Sequence, residues 1–393
     1  MNSKHRPDTQ IVHTGSRPEE QQGVMNPPVY RASTVTFPTV DAMNEAEANR
    51  FDTVFYGLYG TPTTFAYEEA IAELEGGYRS VTVASGLAAI AVALMAYLKA
   101  GDHLLMVDSA YGPTRKFCDN ILNRCGIETT YYDPLVGGAI GDIIRPETKV
   151  IFTESPGSLT FEVQDLPAIS EAACNQDIKV MLDNTWSAGF YLKPFEVGVD
   201  ISIQATTKYL AGHADVMLGH ITAKSEEDWL TVKTAAGLMG HGGEPDNCYL
   251  GLRGMRTLSV RLERHQENAM KLANWLAARP EVDTILHPAF SQCPGHEIWQ
   301  RDFTGASGLF SIILRNYSRE RVNAMLDGMD LFALGYSWGG FESLIIPFDP
   351  RGSRSATKWN AAGPALRLHA GQEDPDDLIA DLERGFDRLN DKV

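Results

Sequence analysis

An amine and a carboxylate define the chemistry open to this chain. Lys208 stands in Gln204-Ala205-Thr206-Thr207-Lys208-Tyr209-Leu210, after an apolar, strand-like run and shortly before a Gly-His pair. Upstream, Asp183 closes a second strand-like run, Lys179-Val180-Met181-Leu182-Asp183-Asn184-Thr185. An acid at one strand end and an amine shortly after the next is what a pyridoxal phosphate (PLP) site requires. The amine forms a Schiff base with the cofactor's aldehyde, and the carboxylate keeps the pyridine nitrogen protonated. Taken alone, Asp183 would serve equally well as a helix N-cap.

Other residues fall where such a ligand needs them. Ser85-Gly86-Leu87 lies between a strand-like run and a helix start, where glycine admits close backbone approach and free N–H groups favour a phosphate. The Thr207 hydroxyl lies on the same side. By itself, a Ser-Gly pair also fits an ordinary turn. Tyr111 opens the loop after the run His103–Val107, where its ring can stack on a flat pyridine or simply pack. Arg367 is embedded in the apolar run Ala365-Leu366-Arg367-Leu368-His369. A guanidinium there offers a two-pronged partner for an α-carboxylate, or else a structural ion pair. His213, His220 and His241 lack metal-ligand spacing and read as loop or core residues, so no metal is expected.

These positions presuppose a particular scaffold. From Val81 onward, short apolar runs alternate with helix-like ones: Val81–Val83, helix Leu87–Ala100 closed by Gly101, His103–Val107, helix Thr114–Cys125, Val150–Thr153, helix Leu166–Cys174, Val180–Leu182 and Ile201–Ile203. Continuously apolar strands imply helices on both sheet faces. Their alternation predicts an α/β domain with a mostly parallel, doubly wound sheet, whose ligands sit beyond the carboxyl ends of the strands. A long amphipathic helix is expected from about Thr257 past Trp275 to Pro280. The chain closes on a helix capped by Asp374 with Pro375 at its first position, buried through Leu378, Ile379, Leu382, Phe386 and Leu389. The expected division is a polar, turn-rich arm over residues 1–66, a large domain over 67–256 and a smaller C-terminal domain over 257–393.

With 393 residues, 44% of them hydrophobic, the chain can bury a large core. A formal charge of −17 argues against nucleic acid or an anionic membrane as partner. Five scattered cysteines without a CxxC pair suggest a reducing compartment. The polar opening from Met1 to Arg17 shows no signal peptide, and no apolar run approaches a membrane span. A cytoplasmic protein is expected.

Several segments together resemble the Cys/Met-metabolism family of PLP-dependent enzymes, in the right order and over nearly the whole chain. They are Tyr56-Gly57 with Gly60-Thr61-Pro62-Thr63, Ser85-Gly86-Leu87-Ala88-Ala89-Ile90, Asp183-Asn184-Thr185-Trp186, Thr207-Lys208-Tyr209-Leu210, and Arg367-Leu368-His369-Ala370-Gly371-Gln372-Glu373-Asp374. Within that family, Asp183–Trp186 and Tyr336-Ser337-Trp338-Gly339-Gly340-Phe341-Glu342-Ser343 are most similar to the cystathionine β-lyase branch. The γ-acting branches usually carry Leu where Trp338 stands.

The resemblance implies the PLP-dependent transferase fold, aspartate-aminotransferase-like, with PLP as cofactor. It assigns Lys208 to the Schiff base, Asp183 to the ring nitrogen and Tyr111 to the ring face, with Ser85, Gly86, Leu87 and Thr207 around the phosphate. Ser337 and Arg367 would bind the substrate carboxylate, and Trp338 would narrow the pocket beside the leaving group. Tyr56 would reach in from a neighbouring subunit of a homotetramer, and Tyr111 or Tyr56 would act as base toward the substrate amine. The implied reaction is β-elimination of L-cystathionine to homocysteine, pyruvate and ammonia. Its rivals are γ-elimination or γ-replacement on the same scaffold, β-elimination from another S-substituted cysteine, and a PLP-binding regulator without turnover. One residue departs from the family pattern Tyr-x-Arg-x-Gly: Leu58 stands where an arginine normally reaches across to the phosphate.

Overall fold

The computed structural model describes residues 5–174 and 176–391. The first four residues of the expected arm and the last two of the expected small domain lie outside them. The described residues form twelve strands: β1 Arg79–Val83, β2 His103–Val107, β3 Glu128–Tyr132, β4 Thr148–Glu154, β5 Lys179–Asp183, β6 Ile201–Gln204, β7 Gly219–Ala223, β8 Val282–Leu286, β9 Leu309–Leu314, β10 Ala333–Leu334, β11 Leu344–Phe348 and β12 Ala365–His369. They form a seven-stranded sheet in the order β1-β7-β6-β5-β4-β2-β3 and a five-stranded one in the order β10-β11-β12-β9-β8.

The large sheet is parallel except for β7, which runs antiparallel to both β1 and β6. The continuous apolar strands explain its burial on both faces. Leu105, Val107, Ile151, Val180 and Leu182 enter one core. Their strand neighbours Leu104, Met106, Val150, Phe152 and Met181 enter the other. Alternation along each strand therefore sends side chains into two apolar layers, each filled side chain contributing roughly 1.5–3 kcal/mol. The second sheet is antiparallel apart from β10–β11.

The helix Leu258–Ala277 ties the two bodies together. Leu258 and Leu262 sit in a core of the large sheet, whereas Ala269, Leu272, Ala273 and Leu276 sit in that of the second sheet. The terminal helix Pro375–Asn390 is capped as expected, the Asp374 side chain accepting from the Asp376 N–H; Leu378, Leu382, Phe386 and Leu389 are buried, whereas Ile379, expected with them, is only half-buried at the edge of the stripe.

Two helices differ from the sequence reading. The one after β1 runs Gly86–Tyr97 and stops three residues before Ala100. Leu98 is already extended, and the Asp102 carboxylate accepts from the Lys99 N–H, so residues 99–102 form a turn with Gly101 at φ +92°. The helix expected over Thr114–Cys125 starts at Gly112, because Pro113 suits its first turn, and loosens into a π-turn at Cys118–Leu122. Strands β3 and β7 lack the apolar run that marked the others. No helix among the described residues is long and apolar enough to cross a membrane, and the five cysteines are all unpaired.

Candidate active site

The carboxyl ends of β4, β5 and β6 bring the acid and the amine together. Asp183 is the last residue of β5, opposite Ile203 of β6, and Lys208 follows four residues beyond the end of β6. Thr185 ties the two loops. Its N–H and hydroxyl donate to Asp183 Oδ1 at 3.0 and 2.6 Å, and its Oγ1 accepts from the Ala205 N–H at 3.0 Å. Burial raises the Asp183 carboxyl above its usual range, against the opposing pull of the Thr185 hydrogen bonds and of Lys208 and His220.

Lys208 Nζ donates to Ser337 Oγ at 2.6 Å and lies 5.3 Å from the centre of the Trp338 ring. Burial, assisted by the Arg367 charge and opposed by Asp183, pushes its pKa down to about 8. An amine so tuned is a nucleophile and a base near neutral pH, which an ordinary lysine is not.

The segment carrying Ser337 and Trp338 is clamped by β12. Arg367 Nη2 donates to the Ser337 carbonyl at 2.9 Å. His369 Nε2 accepts from the Gly339 N–H at 3.1 Å, and its Nδ1 donates to the Glu342 carbonyl at 3.0 Å. Complete burial holds His369 neutral, its pKa well below the ordinary value, which suits a ring that accepts at one nitrogen and donates at the other. Ser337 sits at φ +80°, strained for a residue with a Cβ. Gly339, at φ +85°, presses on the Lys208–Tyr209 backbone so closely that a Cβ there would meet Tyr209 N at 2.8 Å. Arg367 is buried and its Nε has no partner among the described residues. A buried, unpaired N–H on a guanidinium can receive an anion.

Tyr111 is 45% exposed, yet its backbone is fixed: its N–H donates to Glu154 Oε2 at 2.7 Å. Burial and the charges of Glu154 and Asp183 raise its phenol pKa, while Arg367 lowers it, so the ring stands within electrostatic reach of acid and guanidinium alike. Ser85 caps the helix Gly86–Tyr97, its Oγ accepting from the Ala88 N–H at 3.1 Å. The Gly86 and Leu87 N–H groups, in the first turn, have no intrahelical acceptor. Gly86 is required by packing, since a Cβ would meet Ala205 Cβ at 2.6 Å. Thr207 is engaged with the chain itself: Oγ1 accepts from the Leu218 N–H and donates to the Leu218 carbonyl, both at 3.1 Å.

Two sequence-selected positions lie elsewhere in this single chain. Tyr56 is 45% exposed in the N-terminal segment and makes no side-chain hydrogen bond among those found at the site. Leu58 rests against Gly242, where a Cβ would meet its Cδ1 at 3.2 Å. Glu154, Thr185 and His369 were not singled out individually from sequence, although Thr185 and His369 lie inside motifs that were.

The donor set fits PLP: a depressed-pKa amine, a half-buried carboxylate electrostatically coupled to it and to the Tyr111 phenol, and a helix start whose first N–H groups have no intrahelical acceptor. A profile described as "Cys/Met metabolism PLP-dependent enzyme" matches residues 8–387. A putative cystathionine beta-lyase of Rhizobium johnstonii is 48% identical over 96% of this chain and 95% of its own length. The cystathionine beta-lyase MetC of Escherichia coli is 44% identical over 97% of this chain and 98% of its own. The crystal structure of cystathionine gamma synthase from Xanthomonas oryzae pv. oryzae, in complex with aminoacrylate and cysteine, is 30% identical. It superposes with a TM-score of 0.90, covering 98% of this chain and 99% of that one.

Proposed function

The chain belongs to the Cys/Met metabolism PLP-dependent enzyme family, and from that premise we propose that it is a carbon–sulfur lyase cleaving L-cystathionine by β-elimination to homocysteine, pyruvate and ammonia. The observation that carries this reading is the Lys208–Ser337 hydrogen bond. It places the amine one side chain away from the segment that Arg367 holds, beside the guanidinium's own unpaired N–H. The relatives named cystathionine beta-lyase support the same reaction.

When bound, PLP supplies an aldehyde for covalent attachment and a ring that accepts the electron pair left at Cα. Lys208 would hold the aldehyde, Asp183 the ring nitrogen, Tyr111 the ring face, and Ser85, Gly86, Leu87 and, on turning its hydroxyl from the Leu218 carbonyl, Thr207 the phosphate. Arg367 and Ser337 bind the substrate α-carboxylate, orienting the Cα–H bond toward Lys208. Tyr111 or Tyr56 takes a proton from the substrate amine. The neutral Lys208 amine then removes the Cα proton, and the resulting ammonium returns a proton to sulfur as the Cβ–S bond breaks. Water completes the balance by converting the remaining three-carbon unit to pyruvate and ammonia. Trp338 walls the pocket on the leaving-group side, packed against Tyr209 with ring centres 5.3 Å apart.

The arm over residues 1–66, the large domain over 67–256 and the small domain over 257–393 complete the proposal, in a cytoplasmic homotetramer whose sites are shared between subunits. Its support is the arm's apolar exposure: Met25, Tyr30, Val40 and Tyr56 all face outward from the single chain. The deciding experiment is to incubate the holoprotein with L-cystathionine and assay keto acid and thiol together. Pyruvate with equimolar homocysteine is expected. 2-Oxobutyrate would move the reaction to the γ-acting branch, and bound PLP without keto acid from any thioether amino acid would leave a cofactor-binding regulator.

A further inference from the structure

Glu154 ends β4 as Asp183 ends β5, and the two are register partners on adjacent parallel strands. Their side chains therefore emerge on the same face of the sheet, at the floor of the site. The reaction described above makes no use of Glu154. Its carboxyl accepts one hydrogen bond among the described residues, from the Tyr111 N–H at 2.7 Å. Asp183 accepts two, both from Thr185, and faces Lys208 and His220. The cation facing Glu154 is Arg354, itself paired with Glu162 at 3.0 Å. Two neighbouring, half-buried carboxyls resist ionising together, and the one with more donors and cations around it ionises more readily. Burial and the Asp183 charge together raise the Glu154 pKa well above its usual range.

We propose that Glu154 is the positioning residue for Tyr111: by accepting the Tyr111 N–H it holds the ring-bearing loop against the strand ends, while Asp183, tied by Thr185 and facing Lys208, is left to serve the ring nitrogen. The inference rests on the PLP reading, in which Tyr111 covers the ring. An acceptor is needed at position 154, and a charge is not.

The test compares Glu154→Gln, which keeps a neutral acceptor, with Glu154→Ala, which removes it. Apo-proteins are titrated with PLP by fluorescence, and the visible circular dichroism of each holoprotein reports how the cofactor sits. Glu154→Ala is expected to weaken PLP binding roughly tenfold and to shrink the visible dichroic band. Glu154→Gln should stay within about twofold of the parent, a rescue that separates positioning from charge. Because Glu154 acts through Tyr111, the double variant Glu154→Ala/Tyr111→Ala should bind PLP no more weakly than Tyr111→Ala alone. Far-UV dichroism of the apo-proteins checks folding, and if Glu154→Ala does not fold, the glutamine variant decides alone. A tenfold loss in Glu154→Gln, an unchanged Glu154→Ala, or additive losses in the double variant each overturn the proposal. A parent protein that binds no PLP would instead overturn the functional reading on which it stands.

Discussion

Lys208 owes its chemistry to where it is buried rather than to what it is. Removal from water and the nearby Arg367 cation both disfavour the ammonium, and Asp183 only partly restores it. The resulting pKa of about 8, against 10.5 for an ordinary lysine, leaves the amine half neutral near pH 8. Attack on an aldehyde needs the neutral amine, so stopped-flow absorbance of PLP uptake by the apo-protein should show a rate rising with pH and levelling off above about 9. A rate still climbing steeply past pH 10 would show an unperturbed lysine. At this scale the sequence was informative for residues that close strands or follow them, because Lys208 and Asp183 are placed by chain order alone. It was silent on the roles of Glu154 and His369. Their partners Tyr111 and Gly339 belong to other elements, and no local spacing records such a meeting.

Elements fix the site through a few highly connected side chains, of which Asp108 is the clearest. Directly after β2, its buried carboxylate accepts from Arg115 Nη1 at 2.9 Å, the Ser355, Ala356 and Thr357 N–H groups at 2.9, 3.1 and 2.8 Å, and the Thr357 hydroxyl at 2.7 Å. One acid thus pins the loop between β11 and β12 to the strand end that carries the Tyr111 loop. Burial alone would raise its pKa, but the Ser355 N–H, the Thr357 hydroxyl and Arg115 lower it from 3.8 to about 2. A depressed carboxylate stabilises the fold above its unfolded pKa, and that contribution, roughly 2 kcal/mol, is lost as pH falls from about 4 toward 2. Asp108→Asn should therefore lower the apo-protein's thermal midpoint at neutral pH and flatten its decline between pH 4 and pH 2. An unaltered acid profile would contradict this role. Element identity was legible wherever burial on both faces produced an apolar run, as in β2, which matches its expected span residue for residue. It was illegible in β3, whose Glu-Thr-Thr start is partly exposed at the sheet edge, and in β7, which opens on Gly-His.

At the scale of the molecule, two sheets and one bridging helix bring distant residues onto a single lysine. β5 and β6 supply the acid and the amine, while the second sheet supplies Arg367 and His369, which hold the Ser337–Gly339 segment against Lys208. The order of strands and helices announced the large sheet, whereas the lean of β12 toward it follows from side-chain packing that no periodicity encodes. Among the described lysines, only Lys208 combines a depressed pKa, a hydroxyl partner and an opposing acid in one place. The most direct test is to reduce the native holoprotein with borohydride, digest it and locate the pyridoxyl group by mass spectrometry. The adduct is expected on Lys208 alone, and absent in Lys208→Ala. Stoichiometric labelling of any other lysine would contradict the account.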